Sequence, residues 1–225
     1  VHSYIWSDAK KCKGLGIALD ENVKLLNAQT PDHETLRRSM GPTLLSVLQE
    51  NRSFAPAFGV FEIGRTAEGL KEDGLCNERK KLGIALFSHT TPERELYLQA
   101  IEIVKALGQG VKGIKLELAN CTPQYSWQHP RNTAAKLGKG QPLGWLCTVI
   151  PSVLRNIDSK AAVVCVQLDM DTFAALEGQE LIYQEPSRFP GIDMDLSLLV
   201  PEGMRFADME AAWAGAGETL KDVSL

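Results

Sequence analysis

Residues 161–168 read Ala-Ala-Val-Val-Cys-Val-Gln-Leu, a run in which all but one side chain is apolar. A short apolar run without polar alternation predicts a strand that is buried on both faces, and Cys165 within it is expected to be a core residue. Two other runs, residues 114–118 and 194–200, place an apolar side chain at every second position. This period of two predicts strands with one buried face.

The remaining apolar runs predict a mixture of strands and helices. Further strands are predicted over Val23–Leu26, Phe58–Ile63, Leu82–Phe87 and Val223–Leu225, and helices over Pro42–Asn51, Pro92–Leu107 and Phe206–Ala214. Thr90 to Glu93 has the spacing of a capping box for the second helix. Residues 120–143 contain three prolines and are expected to form a loop or hairpin. Because strands and helices do not alternate regularly, the sequence predicts an α+β fold with a mainly antiparallel sheet.

Composition and charge exclude several classes of protein. The 225 residues include 24 Lys and Arg against 28 Asp and Glu. No apolar run approaches the ~20 residues that span a bilayer, so no membrane association is expected. The five cysteines have neither disulfide-framework nor zinc-ligand spacing, which favours a cytoplasmic location. Residues 186–225 carry three basic and seven acidic side chains, a poor electrostatic match for nucleic-acid phosphates.

One glycine motif needs a structural context that the sequence does not provide. Residues 108–113 match G-x-G-x-x-G, the dinucleotide-binding fingerprint. That fingerprint follows a strand and opens a helix, whereas here a predicted helix precedes it and a predicted strand follows. We therefore expect a helix C-cap and turn. The chain contains no G-x-x-x-x-G-K-[ST] phosphate loop.

Two Asp-x-Asp pairs leave an enzymatic alternative open. Alternate residues of a strand share a face, so Asp193 and Asp195 could hold a magnesium ion with a bound phosphate. Asp171 of the other pair, Asp169 and Asp171, is predicted to be a helix N-cap. An enzyme using Asp193, Asp195 or His129 therefore stays as an alternative, with His129 as a general base.

Several longer phrases occur together in the order found in one known family. They are Val23–Asn27, Leu36–Leu45, Asn51, Phe61–Arg65, His129–Ala134, Pro142–Trp145 and Phe189–Ile192 followed by Asp195-Leu196. Together they resemble the C-terminal, catalytic-like core domain of the β subunit of bacterial phenylalanyl-tRNA synthetase. The resemblance covers almost the whole chain.

The resemblance implies a fold, a domain organisation and an assembly. The fold is a class II aminoacyl-tRNA synthetase-like antiparallel sheet flanked by helices over residues 1–185. Residues 186–225 are expected to begin a ferredoxin-like anticodon-binding domain that is truncated in this fragment. The fragment is expected to be non-catalytic and without a cofactor of its own. The family's α subunit attaches phenylalanine to tRNA(Phe) with ATP and magnesium, in a heterotetramer of two α and two β subunits.

Five residues within the matching phrases are predicted to contact the α subunit or tRNA. They are Arg37, Arg38, Pro42, Glu62 and Arg65. Pro42 and its helix correspond to the region of class II cores that supplies a dimer interface. The neighbouring apolar residues Leu44, Leu45, Leu48 and Phe61 are expected to serve the core.

Two phrases differ from the family and support another function. Ile150-Pro151 replaces a family His-Pro, and Asp193-Met194-Asp195 replaces Arg-Arg-Asp. The second change removes two arginines that would contact phosphate. Together with the acidic last segment, it favours an alternative: a divergent paralogue that binds a small molecule or RNA outside translation.

Overall fold

The computed structural model describes residues 1–19, 23–138, 141–179, 190–201, 203–213, 217 and 220. The chain divides into two compact units, Val1–Leu181 and Ile182–Leu225. The first unit contains the sheet and most of the helices, and each unit is described by itself below. The predicted strand Val223–Leu225 lies outside the described residues.

Six antiparallel strands form the main sheet of the first unit. They are β3 (Ala57–Leu70), β4 (Cys76–Ser88), β5 (Glu117–Asn120), β6 (Gln128–Gly138), β7 (Gln141–Val149) and β8 (Ala162–Asp169), in the spatial order β3-β4-β8-β7-β6-β5. Every neighbouring pair in this sheet is antiparallel. The α+β class with an antiparallel sheet is therefore confirmed. Residues 120–143 contribute a hairpin, one of the two forms predicted for them.

Helices cover both faces of this sheet. One face carries α1 (Ala9–Leu15), α2 (Gly41–Asn51) and α4 (Pro151–Ile157), and the other carries α3 (Glu93–Lys112) and α5 (Met170–Ala175). In β8, Val163 and Cys165 join the first core, whereas Val164 and Val166 join the second. Every residue of β8 is buried, as the apolar run at 161–168 predicted.

A small two-stranded sheet lies beside the first helices. Strands β1 (Trp6–Ser7) and β2 (Thr35–Leu36) pair with each other, and a 3-10 turn at Pro31–His33 precedes β2. The predicted strand at Val23–Leu26 is wrong, since only an isolated bridge joins Lys24 to Thr35. Leu26 is fully exposed, so this apolar run has no core to cover.

Helix α2 has the predicted bounds, but α3 is longer than predicted. It continues through Gly108 and Gly110 and ends at Gly113, where φ is +66° and the amide bonds back to Gln109. The C-cap prediction is thus confirmed at Gly113. The capping box is wrong, because the N-cap of α3 is Pro92, which has no side-chain cap. Ser88 Oγ accepts the amides of residues 90 and 91, which precede the helix.

Two predicted strands have different bounds in the structure. The predicted strand at 58–63 extends over the whole of β3. The predicted strand at 114–118 pairs only from Glu117, where β5 begins. Ile114 and Leu116 are buried in the second core before the chain reaches the sheet, and this packing explains their apolar spacing.

The described part of the second unit has one helix, α6 (Phe206–Trp213). Its predicted position is confirmed. The predicted strand over residues 194–200 is wrong, because this segment has no regular secondary structure and Leu199 is fully exposed. A period of two gives a strand only where a neighbouring strand accepts its backbone hydrogen bonds. No helix among the described residues has the length and apolar composition needed to cross a bilayer.

The close approach of β7 to β8 predicts different effects for two Gly→Ala substitutions. A Cβ at Gly144 would overlap the backbone oxygen of Gln167, whereas one at Gly110 meets nothing within 4 Å. We expect Gly144→Ala to lower the free energy of unfolding by about 3 kcal/mol or more. Gly110→Ala, inside α3, should raise it by up to about 1 kcal/mol. Urea denaturation followed by circular dichroism measures both, and equal effects would contradict this packing.

Candidate functional site

Two of the five predicted site residues form a buried ion pair between the start of α2 and β3. Arg37 and Glu62 are 2% and 3% exposed, and Arg37 Nη2 lies 2.9 Å from Glu62 Oε1. Ser3 bridges the pair, since its hydroxyl accepts from Arg37 Nη1 and donates to Glu62 Oε2, both at 2.6 Å. Arg37 Nε also donates to the backbone oxygen of Arg65 at 2.9 Å. Both charges are therefore paired and hydrogen-bonded, as buried charges require.

The pair attaches the edge strand β3 to the segments that precede it. The Ala67 amide donates to the Arg37 backbone oxygen at 2.8 Å, and the Val1 ammonium donates to the Phe61 oxygen at 3.0 Å. A Cβ at Gly64 would overlap Arg37 Nη2, so a glycine is required there. At such low exposure, a partner could reach Arg37 or Glu62 only if these segments moved. Their predicted contacts with a partner stay a prediction, and their burial favours a role in positioning β3.

The other three predicted residues lie closer to the surface. Arg65 is exposed and pairs with Glu78 of β4 at 2.8 Å. Arg38 and Pro42 are half-buried and line a narrow cleft with Tyr125, whose hydroxyl donates to the Arg38 backbone oxygen at 3.4 Å. Burial raises the pKa of Tyr125. The cleft volume is about 70 Å³, room for a few water molecules only.

Phe61, which the sequence predicts to serve the core, lies instead in an exposed apolar row on β3. Phe61 is 64% and Ile63 is 52% exposed, so the expectation that Phe61 serves the core is wrong. Leu44, Leu45 and Leu48 are buried as expected. We call Gly59, Phe61, Ile63 and Arg65, the exposed odd-numbered positions of β3, the β3 open face.

Helix α3 explains why this row is uncovered. It packs mainly on β8 and β7, away from the edge of the sheet at which β3 lies. The even-numbered residues Phe58 and Val60 point to the opposite face and pack on the first core. Their parity in the sequence was a signal that Phe61 and Ile63 lie on the other face, because successive strand residues alternate.

Asp169 is the centre of a second cluster of charges. It accepts hydrogen bonds from Arg79 at 3.0 Å and from Lys81 at 2.7 Å. It also accepts from the Thr172 amide at 2.7 Å, so Asp169 and not Asp171 is the N-cap of α5. Burial alone would raise the pKa of Asp169, but the hydrogen bonds from Lys81 and Thr172 outweigh it and hold that pKa at about 2.

The structure does not bring the residues of the enzymatic alternative into a described cluster. His129 is half-buried at the start of β6, where its Nδ1 accepts the Arg131 amide at 3.2 Å. Asp193 and Asp195 are exposed in the segment of the second unit that has no regular structure. Within the described ranges, no three His, Cys, Asp or Glu side chains are close enough to hold one metal ion.

Comparisons with known proteins identify relatives of this chain. A family model described as the phenylalanyl tRNA synthetase beta chain CLM domain matches residues 1–170. The phenylalanine–tRNA ligase β subunit of Halalkalibacterium halodurans is 27% identical over 238 residues, covering 100% of this chain and 29% of the relative. The β subunit of Bdellovibrio bacteriovorus is 24% identical, over 93% of this chain and 27% of the relative. That of Corynebacterium glutamicum is 32% identical, covering 57% and 15%. The chain thus spans less than a third of the length of these relatives.

The lowered pKa of Asp169 predicts a stability that depends on pH in the acid range. Its folded-state pKa of about 2 lies below the ordinary value of 3.8, so its contribution is complete above pH 4 and is lost as pH falls towards 2. We expect Asp169→Asn to lower the free energy of unfolding by about 2 kcal/mol at pH 7. The difference from the wild type should shrink between pH 4 and pH 2.

Urea titrations at several pH values measure this difference. Asp171→Asn is the matched control, because Asp171 is half-exposed and lies two residues away. A difference between wild type and Asp169→Asn that stays constant from pH 7 to pH 2 would show that the ion pairs of Asp169 do not stabilise the fold.

The buried ion pair predicts a loss of stability in the isolated chain. Arg37→Met keeps the apolar stem but leaves the Glu62 carboxylate buried without its cation, which should cost about 3–5 kcal/mol. The double variant Arg37→Met/Glu62→Leu should lose less than Arg37→Met alone. Arg65→Met, at an exposed pair, should change stability by less than about 1 kcal/mol. If denaturant unfolding shows Arg37→Met to be as stable as wild type, the ion pair does not stabilise the fold. Arg37 would then be expected to contact a partner directly.

Proposed function

Because this chain belongs to the phenylalanyl tRNA synthetase beta chain CLM domain family, we propose that it is a non-catalytic core segment of a cytoplasmic phenylalanine–tRNA ligase β subunit. It acts by assembly with an α subunit, and the α subunit attaches phenylalanine to tRNA(Phe). The first unit is a class II synthetase-like core, and the second begins a ferredoxin-like domain. The six-stranded antiparallel sheet between two layers of helices supports the first assignment.

The arrangement of carboxylates supports placing ATP and magnesium on the α subunit. The Asp169 carboxylate is occupied by Arg79 and Lys81, and Glu62 by Arg37 and Ser3. Magnesium sites use carboxylates that are open to water and to substrate phosphates. These two carboxylates therefore do not fit the metal, and we assign no chemical step to them.

The observation that carries the assembly proposal is the β3 open face. Phe61 and Ile63 lie next to each other on one face of an edge strand, and among the described residues the helix layer of that face packs mainly on β8 and β7. Burying such side chains against a partner contributes about 1.5–3 kcal/mol each. An edge strand with exposed apolar residues promotes aggregation of a free protein. A permanent partner that covers the strand prevents this aggregation.

The ion pair behind β3 supports the same role. Arg37 and Glu62 hold the strand and the start of α2 in one arrangement, so the open face is presented by a rigid element. Arg65 and Glu78 add a polar rim at one end of the row. An apolar centre with a polar rim is the usual anatomy of a protein–protein interface. We propose that two such αβ units form the heterotetramer.

The charge distribution favours tRNA contact by the whole complex over contact by this chain alone. The net charge is −4, and the second unit carries more acidic than basic side chains. Phosphate contacts require clustered Lys and Arg. Arg38 and Arg65 are therefore proposed to contact tRNA only where a partner subunit completes a basic surface.

Charge introduced into the β3 open face should abolish assembly without unfolding the chain. We expect the double variant Phe61→Asp/Ile63→Asp to lose co-purification with the α subunit, because two buried carboxylates would have no partner in the interface. Size-exclusion chromatography of the co-expressed full-length β and α chains measures the complex. Leu75→Asp is the control, since Leu75 is equally exposed but lies in the turn between β3 and β4.

The fold of each variant is checked by circular dichroism before binding is compared. Retention of the complex by a folded Phe61→Asp/Ile63→Asp variant would overturn the proposed docking face. Loss of the complex in the Leu75→Asp control as well would show that the effect is not specific to β3.

A further inference from the structure

A second cleft lies where the segment after α2 meets the ends of β4 and α4. Its walls are formed by Arg52, Ser53, Phe54, Pro56, His89 and Asp158, and we call it the Phe54 cleft. This cleft is open to solvent and has a volume of about 370 Å³. The His89 amide donates to the Pro56 oxygen at 2.7 Å and joins the two walls directly.

A ladder of aromatic rings fixes the apolar wall of this cleft. Phe54 meets Phe58 edge-on at 5.9 Å, Phe58 meets Phe87 at 5.1 Å, and Phe87 meets His89 edge-on at 4.9 Å between ring centroids. Phe87 is fully buried in the first core, whereas Phe54 is 78% exposed. The Phe54 ring is therefore held by the core through Phe58 and still offers most of its surface to a ligand.

The polar wall carries the Arg52 guanidinium, the His89 imidazole and the Asp158 carboxylate. Asp158 Oδ2 lies 3.0 Å from His89 Nε2, and its other oxygen accepts the Lys160 amide at 2.9 Å, so the imidazole is held in one orientation. The free ring nitrogen of His89 is then directed away from Asp158. Arg52 donates from Nη1 to the Gln49 oxygen at 3.0 Å, which leaves further N–H groups of its guanidinium for a ligand.

The geometry points to the Phe54 cleft as a binding site for a nucleoside monophosphate, with the base stacked on Phe54 and the phosphate held by Arg52. A fixed, exposed ring is a stacking platform for any base. A guanidinium binds phosphate through paired, charge-assisted hydrogen bonds. One guanidinium beside one exposed ring matches a ligand that has one phosphate and one base.

Binding is tested on the complete 225-residue chain with three small probes. Amide chemical shifts and isothermal titration calorimetry follow addition of AMP, adenosine and inorganic phosphate. We expect AMP to bind at least tenfold more tightly than either adenosine or phosphate, with shifts at residues 52–56 and at His89. Equal binding of AMP and adenosine would overturn the role of Arg52, and equal binding of AMP and phosphate would overturn stacking on Phe54.

Variants locate the site. Phe54→Ala and Arg52→Gln are each expected to weaken AMP binding about tenfold or more, and both sites are exposed enough to leave the fold intact. Leu75→Ala and Arg205→Gln are matched controls at exposed positions elsewhere and should bind AMP like wild type. The absence of AMP binding at 10 mM, or unchanged binding in both cleft variants, overturns the proposal. A single-stranded hexanucleotide that binds these residues tenfold more tightly than AMP would assign the cleft to RNA and also overturn it.

Discussion

The burial of β8 on both faces is the constraint on which both helix layers depend. Its alternate side chains reach two separate cores, Val163 and Cys165 under α1, α2 and α4, and Val164 and Val166 under α3 and α5. Neither layer can be removed without exposing half of this strand to water, which would lose the burial energy of several large side chains. The strand also lies between β4 and β7, so its backbone groups are paired on both sides.

The polar residues of this buried strand organise its surroundings, because a buried polar group must find a partner. Gln167 Oε1 accepts from the Met40 amide at 2.8 Å and from Ser39 Oγ at 3.1 Å, and so replaces the side-chain cap that α2 lacks. Asp169 caps α5 and binds Arg79 and Lys81 of β4. The start of α2 and the start of α5 are thus both positioned from β8. Arg37 and Glu62 then connect the entry to α2 with β3 at the edge of the sheet.

The two proposed functional surfaces lie at the edge of the sheet and at the margin of the first core. The layer of α3 and α5 stops short of β3, which leaves Phe61 and Ile63 open for the proposed partner subunit. Ring contacts connect Phe87, in the first core, with His89 and, through Phe58, with Phe54. Phe54 and His89 line the proposed nucleotide cleft. Both surfaces are held by buried groups of the chain itself. This fits a segment that works by presenting fixed surfaces and has no described cluster of catalytic groups.

The antiparallel α+β class, the doubly buried strand, the position of α2 and a helix C-cap within residues 108–113 could be predicted from the sequence, because these depend on local periodicity and on backbone conformation. The ordered phrases also identified the family. Three findings needed the tertiary structure. Arg37 and Glu62 are buried, Asp169 and not Asp171 caps α5, and residues 194–200 form no strand. Phe61 shows the reason most clearly: its apolar character is local, but its exposure depends on where α3 ends over the sheet. The packing of elements that are distant in the sequence sets which face of an edge strand is covered. A local sequence pattern therefore cannot predict it.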